Sequence, residues 1–294
     1  MPVAADGACT MTEGGGTGEP RTEAGKTEGA RTEGVMTPAK RGSGYSGGEL
    51  LVVMAGRLLQ DGQIVFAGVG VPLLAATLAQ RTHAPHLTIL FEGGTIGPFI
   101  VPGELPPSTN EQRCTRRANM LLPITDVLLL LQRGYVDVGF MGGAQIDRFG
   151  NLNSSFIGPA ERPLIRLPGS GGGNDISSLT NMIVAMKHEK RRFVPKVDFI
   201  TSPGWISGAQ SRAAAGLPQG GMWRVVTDLG VLGFDAATRE MQVLALHQGV
   251  TREEMQDNTG FDLVFDKSLT VASPPREEEL KVLRELDPQR LYTA

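Results

Sequence analysis

The chain has 294 residues, a formal net charge of -3 at pH 7 and two cysteines, Cys9 and Cys114. This charge excludes a basic footprint for nucleic acid, and two cysteines in separate segments form no disulfide framework. No apolar run approaches the roughly 20 residues of a membrane helix, so neither nucleic acid nor a membrane is an expected partner.

Residues 1–46 differ in composition from the rest of the chain. They are rich in Gly, Thr and Glu, and they repeat a Thr-Glu unit at Thr12, Thr22, Thr27 and Thr32. A segment with so few apolar residues cannot offset its ordering entropy by burial, so we expect a disordered tail. It lacks the apolar stretch of about 7 to 15 residues that a secretory signal needs, and its glutamates oppose a transit peptide. We therefore expect a cytoplasmic protein with one folded domain over 47–294.

The first predicted elements are a helix, a strand and a second helix. Apolar residues at helical spacing predict a helix over 49–60, and a short apolar run predicts a strand over 64–67. A glycine link then leads into a helix over 72–80, which is the layout of a phosphate-binding loop. Leu73 stands where the dinucleotide fingerprint has its third glycine, so a nucleotide site is not favoured here.

A carboxylate follows the next predicted strand, at 87–91. Glu92 comes directly after this apolar run, and Gly93 and Gly94 follow it. Ligands of open α/β sheets bind at the carboxyl ends of the strands, where diverging loops leave a crevice. The two glycines would leave room for a substrate and tolerate unusual backbone angles. Glu92 is therefore a candidate functional residue, and the alternative is a glutamate that turns into solvent beyond an edge strand.

A second strand with a glycine terminus follows a long, proline-containing region. The pattern predicts a helix over 125–132 and a strand over 136–141. This strand ends in Gly142, Gly143 and Ala144, whose tandem amides could point at a developing negative charge as an oxyanion hole. A tight turn is the alternative interpretation.

The remaining pattern completes an α/β domain. A glycine-rich loop at 169–174 is flexible enough to approach a ligand closely, and the charged run 187–192 is either a solvated turn or an anchor for an anionic group. The further elements are predicted as strands over 182–186, 197–201, 225–228 and 241–246, a helix capped by Thr251 and Glu254, and a last helix over 276–286. This alternation predicts an open, mostly parallel sheet flanked by helices. The four histidines show no metal-ligand spacing, so no metal is expected.

Several longer motifs occur in one order along the body of the chain. They are Phe-Met-Gly-Gly-Ala-Gln-Ile-Asp at 140–147, Gly-Asn-Leu-Asn-Ser at 150–154, Gly-Ser-Gly-Gly at 169–172, His-Glu-Lys-Arg-Arg-Phe at 188–193, Thr-Ser-Pro-Gly-Trp at 201–205 and Asn-Thr-Gly-Phe-Asp-Leu at 258–263. In these motifs the chain resembles the β-subunits of the class I CoA-transferases, and most of all the glutaconate CoA-transferase β-subunit. The resemblance extends from Glu49 to Tyr292, so the tail falls outside it.

This resemblance implies a chemistry and a partner. The strand-end glutamate of the β-subunit is the nucleophile in that family, and Glu92 holds the matching position. The family's ping-pong reaction passes through an acyl anhydride to a glutamyl-CoA thioester, and an acceptor acid then reverses these steps. The resemblance thus implies an acyl-CoA substrate, no permanently bound cofactor, a short dicarboxylic or branched acid as acceptor, and a separate α-subunit. Gly142, Gly143 and Ala144 are then the candidates for the oxyanion hole.

Related proteins with other chemistry provide the alternatives. One is a decarboxylase with Cys in place of the glutamate, and another is a hydrolase of CoA thioesters that lacks the glutamate; Glu92 argues against both. Gly93 and Gly94 depart from the Asn-Gly or Ser-Gly of better-known transferases, so we expect the acceptor pocket to differ from theirs. A noncatalytic subunit that only completes a partner's site is the remaining hypothesis.

Overall fold

The computed structural model describes residues 44–217 and 220–294. The disorder expected for the first 43 residues therefore lies outside the described residues. The α-helices are α1 (Gly47–Gly56), α2 (Val71–Arg81), α3 (Ile124–Gln132), α4 (Gly173–Leu179), α5 (Ser211–Ala214), α6 (Arg252–Asp257) and α7 (Glu277–Leu286). Within the two described ranges, no helix is both long enough and apolar enough to span a membrane.

The strands are β1 (Ile64–Ala67), β2 (Thr88–Leu90), β3 (Thr95–Ile96), β4 (Met120–Leu121), β5 (Val138–Met141), β6 (Gln145–Ile146), β7 (Leu152–Asn153), β8 (Phe156–Ile157), β9 (Ile165–Arg166), β10 (Asn181–Ala185), β11 (Gly221–Val226), β12 (Gly230–Phe234), β13 (Met241–Leu246) and β14 (Val264–Val271). Among the described residues, ten of them form one sheet in the order β14-β13-β12-β11-β10-β5-β1-β2-β3-β4. Strands β3 and β12 run against the other eight. The predicted open, mostly parallel sheet is thereby confirmed. The chain continues from β1 to β2 on one side and returns to β5 on the other, which leaves a crevice at the carboxyl ends of β1 and β5.

Apolar packing covers the sheet on both faces. Val65 and Ala67 of β1 pack with α1, α2 and α7, whereas Phe66 between them packs with α3 and α4. Because successive side chains of a strand point to opposite faces, these are two cores of a three-layer arrangement. By the same alternation, Phe91 enters the first core and Glu92 is directed to the face that holds α4.

The packing of α4 against β5 depends on Gly139. A Cβ at this position would lie 2.5 Å from Thr180 Oγ1 and 2.7 Å from Met182 Sδ, which is too close for any side chain. Gly139 therefore lets α4 lie directly on β5. As a result, the amino-terminal end of α4 reaches the carboxyl end of β2, where Gly172 contacts Glu92.

Most of the predicted helices and strands are present with shifted ends. The first helix ends at Gly56, because the amides of Leu58 and Leu59 donate to carbonyls three residues back and tighten the last turn. Ser46, assigned to the tail by its composition, belongs to the folded body. Its Oγ accepts a hydrogen bond from Glu49 N at 3.0 Å, and Glu49 Oε2 accepts one from Ser46 N at 2.8 Å. This capping box begins α1.

The strand predicted over 197–201 is wrong. Its residues 198–200 are exposed, and Thr201 N and Ser202 N both donate to Leu152 O, at 2.9 and 3.1 Å. The segment therefore pairs with β7 at one point and takes no place in the main sheet. Its apolar residues make local contacts instead, such as that between the Phe156 and Phe199 rings, whose centroids are 5.3 Å apart.

Candidate active site

Glu92 lies in a cavity at the carboxyl ends of β1, β2 and β5. The side chain is half-buried just beyond β2, in a turn that Gly94 N closes by donating to Phe91 O at 3.0 Å. The cavity has a volume of about 200 Å³. Apolar side chains such as Phe66, Phe140 and Ile176 line it together with the polar residues Thr109, Ser154 and Ser202. The expected strand-end position of the carboxylate is therefore present, within a concave site.

A backbone amide holds the carboxylate in place. Gly172 N donates to Glu92 Oε1 at 3.0 Å. A Cβ on Gly172 would lie 3.2 Å from Glu92 Cδ, and a Cβ on Gly171 would lie 3.4 Å from Oε2. A Cβ on Gly172 would crowd the carboxylate, and the positive φ of Gly171, +49°, favours glycine there, so these two glycines bring the loop against Glu92. This loop therefore forms one wall of the site and supplies a donor aimed at an oxygen of Glu92.

Gly93 and Gly94 let other segments of the chain approach closely. A Cβ on Gly93 would lie 2.6 Å from Asn110 Oδ1, and the place of a Cβ on Gly94 is taken by Leu122 O. Neighbouring segments therefore occupy the position that a side chain would take at each glycine, while the backbone of Gly93 is exposed. The expected tolerance of unusual angles is used at Gly94, whose φ is +102°.

The three residues after β5 lie in different surroundings. Gly142 lines the Glu92 cavity, whereas Gly143 packs on Leu152, whose Cδ2 would lie 3.1 Å from an added Cβ. Ala144 N donates to Asn153 O at 3.0 Å in the β6-β7 hairpin, so this amide is already engaged. This engagement speaks against Ala144 as an oxyanion donor, and all three residues stay predictions. Gly172, which the sequence does not single out as a donor, is the residue whose amide meets Glu92.

The glycines of the phosphate-type loop after β1 also contact the chain. Gly68 N donates to Phe140 O at 3.0 Å, and a Cβ on Gly70 would lie 3.4 Å from the Tyr292 ring. The Gly68 amide is therefore engaged in joining β1 to β5.

The charged run 187–192 is divided between surface and interior. Glu189 Oε2 pairs with Arg191 Nε at 2.7 Å and with Arg192 Nε at 3.1 Å, so the single carboxylate of the run is shared by two of its cations. His188 is buried, its ring stacks on Phe193 at 3.9 Å between centroids, and burial lowers its pKa to about 3. These contacts favour the interpretation as a turn, with one neutral histidine packed beneath it.

Comparison with known proteins identifies related chains. A sequence model of the family described as Coenzyme A transferase matches residues 49–258. The β-subunit of 3-oxoadipate CoA-transferase from Pseudomonas knackmussii is 39% identical over 247 residues, which cover 83% of this chain and 94% of that protein. The β-subunit of glutaconate CoA-transferase from Acidaminococcus fermentans is 36% identical over 254 residues, which cover 84% of this chain and 95% of that protein.

The similarity extends to a solved structure and to a protein named for a different activity. The crystal structure of glutaconate CoA-transferase from Acidaminococcus fermentans gives a TM-score of 0.80 at 35% identity, over 85% of this chain and 98% of that chain. The IpdB subunit of a cholesterol ring-cleaving hydrolase from Rhodococcus jostii is 31% identical over 239 residues, 77% of this chain and 89% of that protein. The chain therefore belongs to the coenzyme A transferase family and is a class I β-subunit close to the glutaconate type.

Proposed function

We propose that this β-subunit works with an α-subunit to move CoA from an acyl-CoA to a short dicarboxylic acid, with Glu92 as the covalent nucleophile. The observation that carries the proposal is the Glu92 carboxylate itself, half-buried in a cavity and held by the Gly172 amide at 3.0 Å. A carboxylate so placed is fixed and accessible, as a nucleophile must be. The CoA thioester is a substrate, no cofactor is permanently bound, and the reaction takes place in the cytoplasm.

The proposed reaction conserves charge and needs no redox partner. A Glu92 oxygen attacks the thioester carbonyl, CoA leaves as a thiolate, and a mixed anhydride forms. The thiolate then attacks Glu92 Cδ and releases the donor acid as a carboxylate, which leaves a glutamyl-CoA thioester. The acceptor carboxylate attacks Cδ and expels the thiolate. Attack of that thiolate on the acceptor's acyl carbon gives the new acyl-CoA and restores Glu92.

The position of Gly172 supports this sequence of steps. Of the four tetrahedral intermediates, the second and third are centred on Glu92 Cδ, so an oxygen of Glu92 becomes the oxyanion. Gly172 N already donates to Oε1 in the resting protein. The same amide would stabilise the charge on that oxygen with little rearrangement, which is how preorganised donors lower barriers. Gly142 remains a candidate for the intermediates centred on the substrate carbon.

Two relatives support the choice of acceptor. Glutaconate and 3-oxoadipate, which give those CoA-transferases their names, are both short dicarboxylic acids. The hydrolase named among the relatives favours one second candidate, in which Glu92 acts as a general base through water. A noncatalytic subunit that completes its partner's site is the other alternative. These three functions differ in what remains on Glu92 after contact with an acyl-CoA.

The central experiment follows that difference. The chain is coexpressed with its α-subunit, and the complex is incubated with acetyl-CoA in the absence of an acceptor. We expect CoA mass on the Glu92 peptide, or a reduced Glu92 side chain after borohydride, in the wild type. Glu92→Gln keeps the size and polarity of the side chain but removes the nucleophile, so adduct and turnover should both be lost. Glu104→Gln, at an exposed position of the neighbouring loop, is the matched control and should retain both.

The results separate the candidate functions. Free CoA released without an adduct and without an acceptor would favour the hydrolase. CoA exchange by Glu92→Gln at the wild-type rate would leave only the noncatalytic role for this chain. The chain alone is expected to show little exchange, and a fully active homo-oligomer would contradict the need for an α-subunit.

A panel of acceptor acids tests the substrate class. With acetyl-CoA as donor, we expect the complex to be fastest with glutaconate, 3-oxoadipate or another short dicarboxylic acid. The measurement is kcat/KM for each acid, with acetate and long-chain fatty acids for comparison. Exclusive activity on fatty acids or on monocarboxylic 3-oxo acids would rule out this substrate class while leaving the role of Glu92 intact.

A further inference from the structure

Two cavity residues, Ser154 and Gly169, are joined by a reciprocal pair of hydrogen bonds. Ser154 Oγ donates to Gly169 O at 2.9 Å, and Gly169 N donates to Ser154 O at 2.8 Å. Both residues line the cavity that contains Glu92. The pair fastens the beginning of the glycine-rich loop to the segment that follows β7.

The loop that starts at Gly169 is rich in glycine. Gly169 and Gly171 have φ of +95° and +49°, in the region that glycine adopts without cost. Gly173 N donates to Ser170 O at 2.7 Å, which turns the loop into α4. A glycine-rich segment has more accessible backbone conformations than other segments, so the contacts at its two ends largely determine the conformation that it adopts. One end is α4, packed on β5; at the other end Leu167 N donates to Ser155 O at 3.0 Å and Gly169 pairs with Ser154.

Ser154 is itself fixed from behind by a buried threonine. Ser154 N donates to Thr201 Oγ1 at 2.9 Å, and Thr201 O accepts a hydrogen bond from Asn174 Nδ2 at 3.1 Å. Asn174 belongs to the first turn of α4. Thr201 therefore contacts the α4 end of the loop directly and the Gly169 end through Ser154, and the Ser154 hydroxyl is the side-chain link between this framework and Gly169, beside the backbone bond from Gly169 N to Ser154 O.

We propose that Ser154 is a positioning residue for the transferase reaction: its hydroxyl holds the loop 169–173 so that the Gly172 amide faces Glu92 Oε1. The proposal rests on the proposed function and adds a residue that determines how well the amide meets the oxyanion. Gly172 lies three residues beyond the Ser154 contact, and its donor atom is 3.0 Å from the carboxylate oxygen. A displacement of about 1 Å in such a donor can cost about 100-fold in rate.

The test uses the α,β complex with acetyl-CoA and glutaconate. Ser154→Ala removes the bond to Gly169 O, and we expect kcat to fall about 10- to 100-fold while KM for both substrates changes less than about twofold. Ser154→Thr retains a hydroxyl at the same position and should recover most of kcat. Ser211→Ala is the matched control, because Ser211 is also half-buried and its Oγ donates to Trp205 O at 2.8 Å, away from the cavity.

A second readout distinguishes positioning from a purely structural role. The rate at which the glutamyl-CoA adduct forms in one turnover should fall with Ser154→Ala and stay at the wild-type value with Ser211→Ala, even where both lower Tm equally. If Ser154→Ala fails to fold, the pair Ser154→Thr and Ser154→Val, equal in shape and different in the hydroxyl, gives the same comparison.

Three results would overturn the inference. They are a wild-type kcat in folded Ser154→Ala, an equal loss in Ser154→Thr, and a raised KM with unchanged kcat, which would make Ser154 a substrate contact. Failure of both Ala and Val variants to fold would assign Ser154 a structural role and also overturn it. A failed proposed function has a different signature, since Glu92→Gln would then keep exchanging CoA.

Discussion

Gly172 contributes two properties to the site, an amide donor and the absence of a side chain. Its backbone has φ -73° and ψ 0°, a conformation open to every residue. The requirement for glycine therefore comes from Glu92, whose Cδ would lie 3.2 Å from an added Cβ. Glycine is therefore favoured at position 172 because the space beside it is occupied by Glu92, and substitution by alanine, which adds one methyl group, tests this.

Gly172→Ala is expected to fold normally and to turn over slowly. The new methyl presses on the carboxylate and separates it from the amide by a few tenths of an ångström. We expect kcat of the α,β complex to fall about tenfold or more, with Tm within about 2 °C of the wild type. Gly47→Ala is the control, because its Cβ would meet nothing nearer than Asp228 Cβ at 3.9 Å. A wild-type kcat in the folded variant would show that the close approach is not needed for catalysis.

The sequence predicts one half of the site and misses the other. Glu92 follows a short apolar strand, and the strand-end rule is enough to propose it. Gly172 lies 80 residues further along, and a glycine-rich loop carries no local sign of the residue it will meet. The position of Ala144 just after a strand predicts a donor, but the β6-β7 hairpin engages its amide. Local patterns predict where a strand ends, whereas the partners of a backbone amide depend on tertiary packing.

Among the elements, α7 is joined to α1 by ion pairs with buried carboxylates. Glu279 Oε2 lies 2.7 Å from Arg57 Nη2, and Glu49 Oε1 lies 2.7 Å from Arg284 Nε. Burial alone would raise the pKa of Glu279, but the hydrogen bonds from Arg57 and Arg276 outweigh it and lower this pKa to about 2. The last helix is therefore attached through groups that must stay ionised.

Glu279→Gln should lower the free energy of unfolding at neutral pH. It should also make that free energy depend less on pH in the acid range. Breaking a buried pair by removing one partner costs about 3 kcal/mol. The pKa of Glu279 is lower in the folded protein than the ordinary 4.5, so its contribution is complete above that value and disappears as the pH falls toward 2. Urea unfolding at pH 7, 5 and 3.5 should show a gap between wild type and variant that narrows with acid.

The neighbouring Glu278 provides the control for this prediction. Its side chain is 65% exposed, and its pair with Arg276 lies on the surface. We expect Glu278→Gln to change the free energy of unfolding by less than about 0.5 kcal/mol at each pH. A constant gap for Glu279→Gln at all three pH values would contradict the coupling of this carboxylate to acid stability.

Helices and strands are predicted correctly where the apolar residues follow the helical or the strand period, and they are missed where tertiary packing interrupts that pattern. The helices α2, α3 and α7 appear close to their predicted ranges, because their apolar stripes face one core. Strand β12 is missed because it contains Gly230 and Gly233, which pack against Ala245 and Leu244 of β13. Strand β14 is missed because exposed polar residues such as Lys267 and Ser268 interrupt its apolar pattern at the edge of the sheet.

For the molecule as a whole, the beginning of the fold is set by Ser46. Removing residues 1–43 is expected to leave Tm and the exchange rate unchanged. Removing residues 1–46 also removes the cap of α1, which costs about 1 kcal/mol and lowers Tm by about 2 to 4 °C. Thermal unfolding of the two truncated chains measures the difference. Equal Tm values would show that the cap is replaced, and a loss on removing 1–43 would show that this segment supports the fold.

The same serine also contacts the far end of the chain. Ser46 Oγ donates to Thr293 O, and Gly48 approaches the Thr293 backbone so closely that a Cβ would lie 2.8 Å from Thr293 Cα. The first and last described segments of the folded body are therefore in contact. A short linker from Ala294 to Gly44 could then join these two segments covalently. New termini opened at the exposed turn around Gly134 would give a circular permutant that keeps every strand in register and leaves the Glu92 cavity whole.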